Sequence, residues 1–326
     1  MNTPVEARVP EIEDIKRAAR IIEDVAYRTP LYRCEPLSRR FDANVFLKLE
    51  CFQPTRVFKI RGAANKILQL SRAQRDRGVV AASSGNHGLS VAYVARLIGI
   101  PATIVVPTTA VREKVEAIKE QGATVVERGR THAKRYALAV EIQRERDAVL
   151  VHPFDDPQVI AGQGTIGLEI LEDLPDVDTI LVPVGGGGLI SGISLAAKSG
   201  RSETKVYGVQ SAKAPSMYES LKAGKPIRLN DINTIADGLA PGEPGQLTFR
   251  IAKNYVDGVV LTSDDKILSA TKFALESLHL LIEPSGAAVI AALDGSYQPR
   301  KRENLVLVIS GGNVSLDLLR RLLNEP

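Results

Sequence analysis

The chain has 326 residues, 44% of them hydrophobic and 25% charged, with a formal net charge of +4 and the two signs interspersed. That length exceeds one typical hydrophobic core, so two lobes are expected in a globular protein of ordinary composition. So diffuse a charge argues against nucleic-acid or membrane partners. No apolar run reaches membrane-spanning length, and the charged N-terminus lacks the apolar core of a signal peptide, so a cytoplasmic location is expected. Cys34 and Cys51 make no disulfide framework, and His87, His132, His152 and His279 lie too far apart in sequence for a metal motif, so no metal site is expected.

In chain order, the first informative stretch is "QPTRVFKIRGAANK" (53–66), where Lys59 stands between Phe58 and Ile60. Either Lys59 rides the edge of an amphipathic helix, or its apolar flanks alter its chemistry. From residue 78 a short β-branched strand repeatedly precedes an amphipathic helix: "GVVAASS" before "HGLSVAYVARLIG", "ATIVVP" before "REKVEAIKEQG", "TVVER" before "THAKRYALAVEIQRE", and "AVLVHP" before "QVIAGQGTIGLEILED". The pattern continues with "DTILVPV" and "LISGISLAAKSG", "KVYGVQ" and "SMYESLKAG", and "LVLVIS" with "VSLDLLRRLL". Gly99, Gly122, Gly200 and Gly224 are placed to cap helices in the left-handed conformation. The basic cluster "ERGRTHAKR" (127–135) reads as a solvated helix face, and "RLNDINTIADGLAPGEPGQ" (228–246) as a long surface excursion.

Strands alternating with helices predict an α/β fold with a mostly parallel sheet covered on both faces. Working loops in such folds lie at the carboxyl ends of strands, which singles out "SSGNHG", "HPFDDP", "GGGGLISG" and "SGGN". Four consecutive glycines, Gly185 to Gly188, end an apolar strand where a helix begins. Backbone without side chains can approach an anion closely there, presenting N–H groups and the positive end of a helix dipole, whereas a merely tight turn rarely needs four glycines. No Lys follows, so this is not a P-loop. A dinucleotide fingerprint can be forced from Gly187 to Gly192, but no acidic partner is clearly placed at a strand end about twenty residues on. "AASSGNHGLS" (81–90) brings Ser83, Ser84 and Asn86 to a second helix N-terminus, suited to a carboxylate or to ordinary capping. "VISGGNVS" (308–315) repeats the design with Ser310.

A lysine that condenses with an aldehyde must spend time as a neutral amine, and apolar surroundings favour that form. Together with a phosphate cup and a polar anion loop, Lys59 therefore points to pyridoxal 5′-phosphate. A nucleotide-binding oxidoreductase or a phosphate sensor using the glycine cup alone is the rival from another class.

Taken together, "RTPLYRCEPLS", "FKIRGAANK", "SSGNHGLSVAYVARLIGIPATIVVP", "VHPFDDPQVIAGQGTIGLEIL", "VPVGGGGLISGI", "TIADGLA", "LIEPSGA" and "VISGGNVSLD" resemble the fold-type II pyridoxal-phosphate enzymes, specifically the serine/threonine dehydratase and serine racemase group. The resemblance runs along nearly the whole chain. It implies a tryptophan-synthase-β-like fold with two lobes: a discontinuous large one from 1–76 and 150–326, and a small mobile one from 77–149. It implies that Lys59 binds the cofactor's aldehyde and serves as base at Cα, with Phe58 beside the cofactor and Gly185, Gly186, Gly187 and Gly188 on its phosphate. Asn86 would meet the ring hydroxyl, Ser310 the ring nitrogen, and Ser83, Ser84, Gly85 and His87 the substrate carboxylate. A Ser at the ring nitrogen, unlike an Asp, favours β-elimination over transamination, so water and ammonia would be lost from a 3-hydroxy amino acid, threonine or serine by default. Ser84 matches the residue that returns a proton from the opposite face in racemases, which keeps racemisation open. A homodimer is implied as well.

The family usually carries Gly and Ser where Arg56 and Val57 stand. An inward Arg56 would bind a second substrate carboxylate, as of 3-hydroxyaspartate, or close over a bulky 3-aryl-serine; an outward one is a surface cation. Where the racemases' divalent-metal loop has acidic residues, this chain has the neutral Gln210 and Ser216. The chain ends shortly after "SGGNVS", so the regulatory domain of biosynthetic threonine dehydratases is expected to be missing.

Overall fold

The computed structural model describes residues 7–83, 85–129 and 132–324. Ten strands form two sheets. β1 (Leu31–Arg33), β2 (Asn44–Leu49), β7 (Thr179–Pro183), β8 (Lys205–Ser211), β9 (Gly258–Thr262) and β10 (Asn304–Ile309) make the larger, in the order β1-β2-β10-β7-β8-β9. Only β1 in it runs antiparallel, against β2. β3 (Val79–Ala82), β4 (Ala102–Val106), β5 (Thr124–Glu127) and β6 (Val149–Leu150) make the smaller, fully parallel sheet in the order β5-β4-β3-β6. β3, β4 and β7 are buried at every residue, the pattern of parallel strands covered on both faces. β6 straddles the boundary expected between residues 149 and 150.

The helix Lys59–Leu68 is the seam between the sheets. Its Ile60, Ala63, Ala64 and Ile67 share a core with Val79 and Ala81 of β3, Ile104 of β4 and Val91 of the helix Asn86–Leu97. The head of that seam helix is laced to the end of β10. Val57 bridges Gly311, Phe58 N–H donates to the Ser310 carbonyl at 3.0 Å, and Gly312 N–H donates to the Arg56 carbonyl at 2.8 Å. Lys59 is thereby held beside the loop that follows β10.

Gly99, Gly122 and Gly224 adopt the left-handed conformation expected of helix caps. Gly200 does not: it is the last residue of the helix Gly188–Gly200, and Arg201 ends that helix in extended backbone. The 228–246 segment is also more than a surface excursion, because Asp237 to Gly242 form one wall of the cavity described next.

Candidate active site

A cavity of about 320 Å³ opens where the carboxyl ends of β3, β7 and β10 converge on Lys59. Lys59 is half-buried, with its remaining exposure toward the cavity that it lines. Its Nζ donates to the Pro153 carbonyl at 2.5 Å and lies 5.1 Å from the centre of the Phe58 ring. Burial among groups that cannot solvate an ammonium pushes its pKa down to about 8. The Pro153 loop is itself fixed, because the Asp155 carboxylate accepts from the backbone N–H groups of Gln246, Leu247 and Thr248, each at 3.0 Å.

Opposite Lys59, Gly185 to Gly188 join β7 to the helix Gly188–Gly200. None of the four N–H groups donates to another described residue. A Cβ on Gly186 would lie 2.3 Å from the Phe154 ring, one on Gly185 2.5 Å from the Gly238 carbonyl oxygen, and one on Gly188 2.9 Å from Phe154 Cα. Gly187 has φ +96°, and its Cβ would lie 2.7 Å from Met217 Cε. Four donors converging at a helix start, with no room for a side chain at any of them, fit a phosphate group.

The third wall is the start of the helix Asn86–Leu97. Asn86 Nδ2 donates to both carboxyl oxygens of Glu283, at 2.8 and 3.0 Å, while its Oδ1 accepts from Asn313 Nδ2 at 2.8 Å. His87 is 3% exposed and its Nε2 lies 2.9 Å from the Val151 carbonyl. That partner accepts, so Nε2 carries the proton, and burial, reinforced by the charge of Lys59, pushes the pKa down to about 3. Ser83, Gly85 and Ser310 line the same cavity, and the Ser83 hydroxyl accepts from Gly85 N–H at 3.3 Å. Ser84 lies outside the described residues.

The structure thus brings Phe58, Lys59, Ser83, Gly85, Asn86, His87, Gly185 to Gly188 and Ser310 to one cavity. Arg56 is not among its lining residues, which accords with the outward of the two orientations the sequence left open. The chain turns at Arg56 through a left-handed φ of 59°, with its N–H bonded to the Gln53 carbonyl and its carbonyl to Gly312, and the side chain is exposed. Val57 is fully buried beside Gly311 instead. Near the end of β8, Gln210 donates to the Val184 carbonyl at 3.2 Å and to Ser216 Oγ at 3.4 Å, and its Oε1 accepts from Tyr218 N–H at 2.9 Å. No cluster of metal-ligating side chains occurs among the described residues.

Several cavity residues were not singled out by the sequence. Arg135, read above as part of a solvated face, lines the cavity, and its Nε is buried without a hydrogen-bond partner among the described residues. Lys114 and Asp237 pair across the mouth. Glu283 is 4% exposed, and burial, with the charge of Asp237 added, pushes its pKa up to about 7. The segments "TIADGLA" and "LIEPSGA" contain two of these residues, but neither has a periodicity or composition that assigns them a task.

Comparison with known proteins agrees with this geometry. A family model described as pyridoxal-phosphate dependent enzyme matches residues 22–311. The chain is 47% identical over 314 residues to an L-threonine ammonia-lyase of Thermotoga maritima, a match that covers 96% of this chain and 78% of that protein. Among solved structures, maize serine racemase superposes with a TM-score of 0.93 at 38% identity, covering 97% of each chain. The processed form of threonine deaminase isoform 2 from Solanum lycopersicum superposes with a TM-score of 0.90 at 36% identity, over 98% of this chain and 90% of that one.

Proposed function

The chain belongs to the pyridoxal-phosphate dependent enzymes, and from that premise we propose that it is an ammonia-lyase converting a 3-hydroxy amino acid, threonine or serine, to a 2-oxo acid and ammonia. The observation that carries this reading is a single cavity pairing a lysine of lowered pKa with a glycine cup for a phosphate. When bound there, pyridoxal 5′-phosphate supplies an aldehyde and an electron-withdrawing ring that make the Cα–H of an amino acid acidic.

The chain's own residues divide the remaining work. Gly185 to Gly188 would hold the phosphate, Phe58 would lie beside the ring, and Asn86 and Ser310 would meet the ring's oxygen and nitrogen. Ser310 would offer a neutral hydroxyl to the ring nitrogen, a partner that would not hold it protonated as a carboxylate would and so would suit loss of the β-hydroxyl. Ser83, Ser84, Gly85 and His87 orient the substrate carboxylate through the donors of their loop and helix start. Lys59, close to half neutral near pH 8, removes the Cα proton. Water leaves from Cα and Cβ, and hydrolysis of the released unsaturated amine returns that water to give the 2-oxo acid and ammonia.

The likeness to the maize serine racemase supports a second reading, in which Lys59 and Ser84 exchange protons on the two faces of Cα. Supplying both enantiomers of serine and threonine, and following 2-oxo acid alongside chirality, tests the two. Release of 2-oxo acid from the L-enantiomers, lost in Lys59→Ala together with the yellow colour of bound cofactor, is the expected result. Inversion without net 2-oxo acid would overturn the lyase reading.

Segregation of the two sheets along the chain supports a large lobe of 1–76 with 150–326 and a small mobile lobe of 77–149. A homodimer is part of the same reading. It is supported by exposed Phe52 and Leu281, whose segments both flank Gly312, and mass measured by light scattering tests it. No helix among the described residues is long and apolar enough to cross a membrane, which accords with the cytoplasmic location proposed here.

A further inference from the structure

Glu283 lines the cavity as a buried carboxyl, yet the chemistry above gives it no task. Its surroundings supply one. The Thr55 carbonyl can only accept, and Asn313 Nδ2 lies 3.0 Å from it, so the nitrogen side of the Asn313 amide faces Thr55. The same Nδ2 donates at 2.8 Å to the Asn86 side chain, which must therefore turn its oxygen to Asn313. The Asn86 nitrogen is left facing the two oxygens of Glu283 at 2.8 and 3.0 Å. Orientation thus passes from a backbone carbonyl in the Lys59 loop, through Asn313, to Asn86 and Glu283.

We propose that Glu283 and Asn313 are positioning residues that lock the Asn86 amide with its oxygen turned away, so that Asn86 meets the cofactor's ring oxygen only as a hydrogen-bond donor and favours that oxygen in its ionised form. The inference rests on the reading that Asn86 faces the ring oxygen. Asn86 heads a helix packed on the smaller sheet, whereas Thr55, Asn313 and Glu283 belong to segments outside that sheet. The lock therefore exists only while those parts are together.

Charge placement agrees with the geometry. A donor-only amide binds an oxyanion more strongly than a neutral hydroxyl. A negative carboxylate behind the amide would oppose that oxyanion, and burial with the nearby Asp237 charge favours the uncharged form of Glu283. The hydrogen bond from Asn86 itself, then Lys114, paired with Asp237, and the Asn313 backbone N–H act in the other direction without reversing the shift, while His87 on the same wall is neutral.

The test uses the purified full chain, stripped of cofactor and reloaded with pyridoxal 5′-phosphate. Two quantities are read: the dissociation constant, and the pH midpoint of the visible absorbance of the bound cofactor. Asn313→Asp puts an acceptor against the Asn86 oxygen and turns the amide over. The expected result is binding about tenfold weaker and a midpoint raised by about one pH unit, the equivalent of one hydrogen bond. Glu283→Ala is expected to shift both in the same directions, whereas Glu283→Gln, a neutral isostere that still accepts from Asn86, stays within about twofold of the wild type. Wild-type values in both Asn313→Asp and Glu283→Ala would overturn the proposal, as would a Glu283→Gln shift as large as that of Glu283→Ala. Asn86→Ala separates the two levels. If it moves both quantities and the other variants do not, the positioning role alone fails. If it too leaves both unchanged, Asn86 does not face the ring oxygen, and the reading beneath the proposal fails with it.

Discussion

Lys59 Nζ donates to the carbonyl oxygen of Pro153 at 2.5 Å. A carbonyl dipole does not offset an ammonium as a carboxylate would, and burial brings the pKa from 10.5 down to about 8. Between those values the folded chain binds fewer protons at this site than the unfolded chain. The penalty is therefore complete below pH 8 and is relieved as pH rises toward 10.5. We expect the cofactor-free Lys59→Met variant to melt a few degrees above the cofactor-free wild type at pH 7, the shift corresponding to at most about 3 kcal/mol. The difference should shrink as pH rises from 8 to 10.5. Thermal melts across that range check it, and a destabilised Lys59→Met would show that the ammonium is not under strain.

The glycine cup gives a prediction that separates fold from binding. Gly187→Ala introduces a methyl at φ +96° with Met217 Cε 2.7 Å away, so both backbone and neighbour resist it. The cofactor-free variant should lose about 1–3 kcal/mol of stability. Gly186→Ala meets the Phe154 ring at 2.3 Å, and pairing it with Phe154→Ala removes that collision. The double variant should fold yet bind pyridoxal 5′-phosphate at least about tenfold more weakly than Phe154→Ala alone, because a side chain at 186 restricts the backbone that must present its N–H to the phosphate. Equal affinity in the double variant and in Phe154→Ala would move the phosphate elsewhere.

What could be read from the sequence follows a physical division. Most strand and helix units beyond residue 78 were legible because parallel strands covered on both faces must be continuous apolar runs. β1, β2 and β9 were not. β1 has three residues with Tyr32 half exposed, β9 lies at a half-buried sheet edge, and β2 hides Lys48 in the core, where it pairs with Glu169 at 2.6 Å. Lys59 and the glycine cup were legible because their local sequence is itself the chemical device. Glu283, Lys114 and Asp237 acquire their tasks, and Arg135 its place in the cavity, only when remote segments meet. Arg56 stayed open between two orientations for a related reason: its backbone is left-handed, with bonds to Gln53 and Gly312, and nothing in "PTRVFK" states that.

Near the end of β8, Gln210 is fully buried and both ends of its amide are used, by Val184, Ser216 and Tyr218. A neutral amide that satisfies its own pocket leaves no unpaired charge for a cation to neutralise. Addition of a chelator should leave the melting temperature and turnover unchanged. Gln210→Glu would set a carboxylate against the Val184 carbonyl and should cost about 2–4 kcal/mol by chemical denaturation. A fall in melting temperature on chelation would show that a divalent ion is bound.

Lys114 and Asp237 reach each other from opposite sides of the cavity mouth, one on the helix Arg112–Lys119 beside the smaller sheet, the other in the 228–246 segment. Their side chains are 30% and 61% exposed, so the pair contributes at most about 1 kcal/mol to stability and is screened by salt. Its position gives it more influence on substrate retention than on folding. Lys114→Ala and Asp237→Asn should each change the melting temperature little while raising KM by about three- to tenfold, and the double variant should raise it no further than either single. In about 0.5 M salt the wild type should move toward the variants, because the interaction that distinguishes them is screened. Additive effects of the two substitutions, or wild-type KM in both, would show that the pair does not close the mouth.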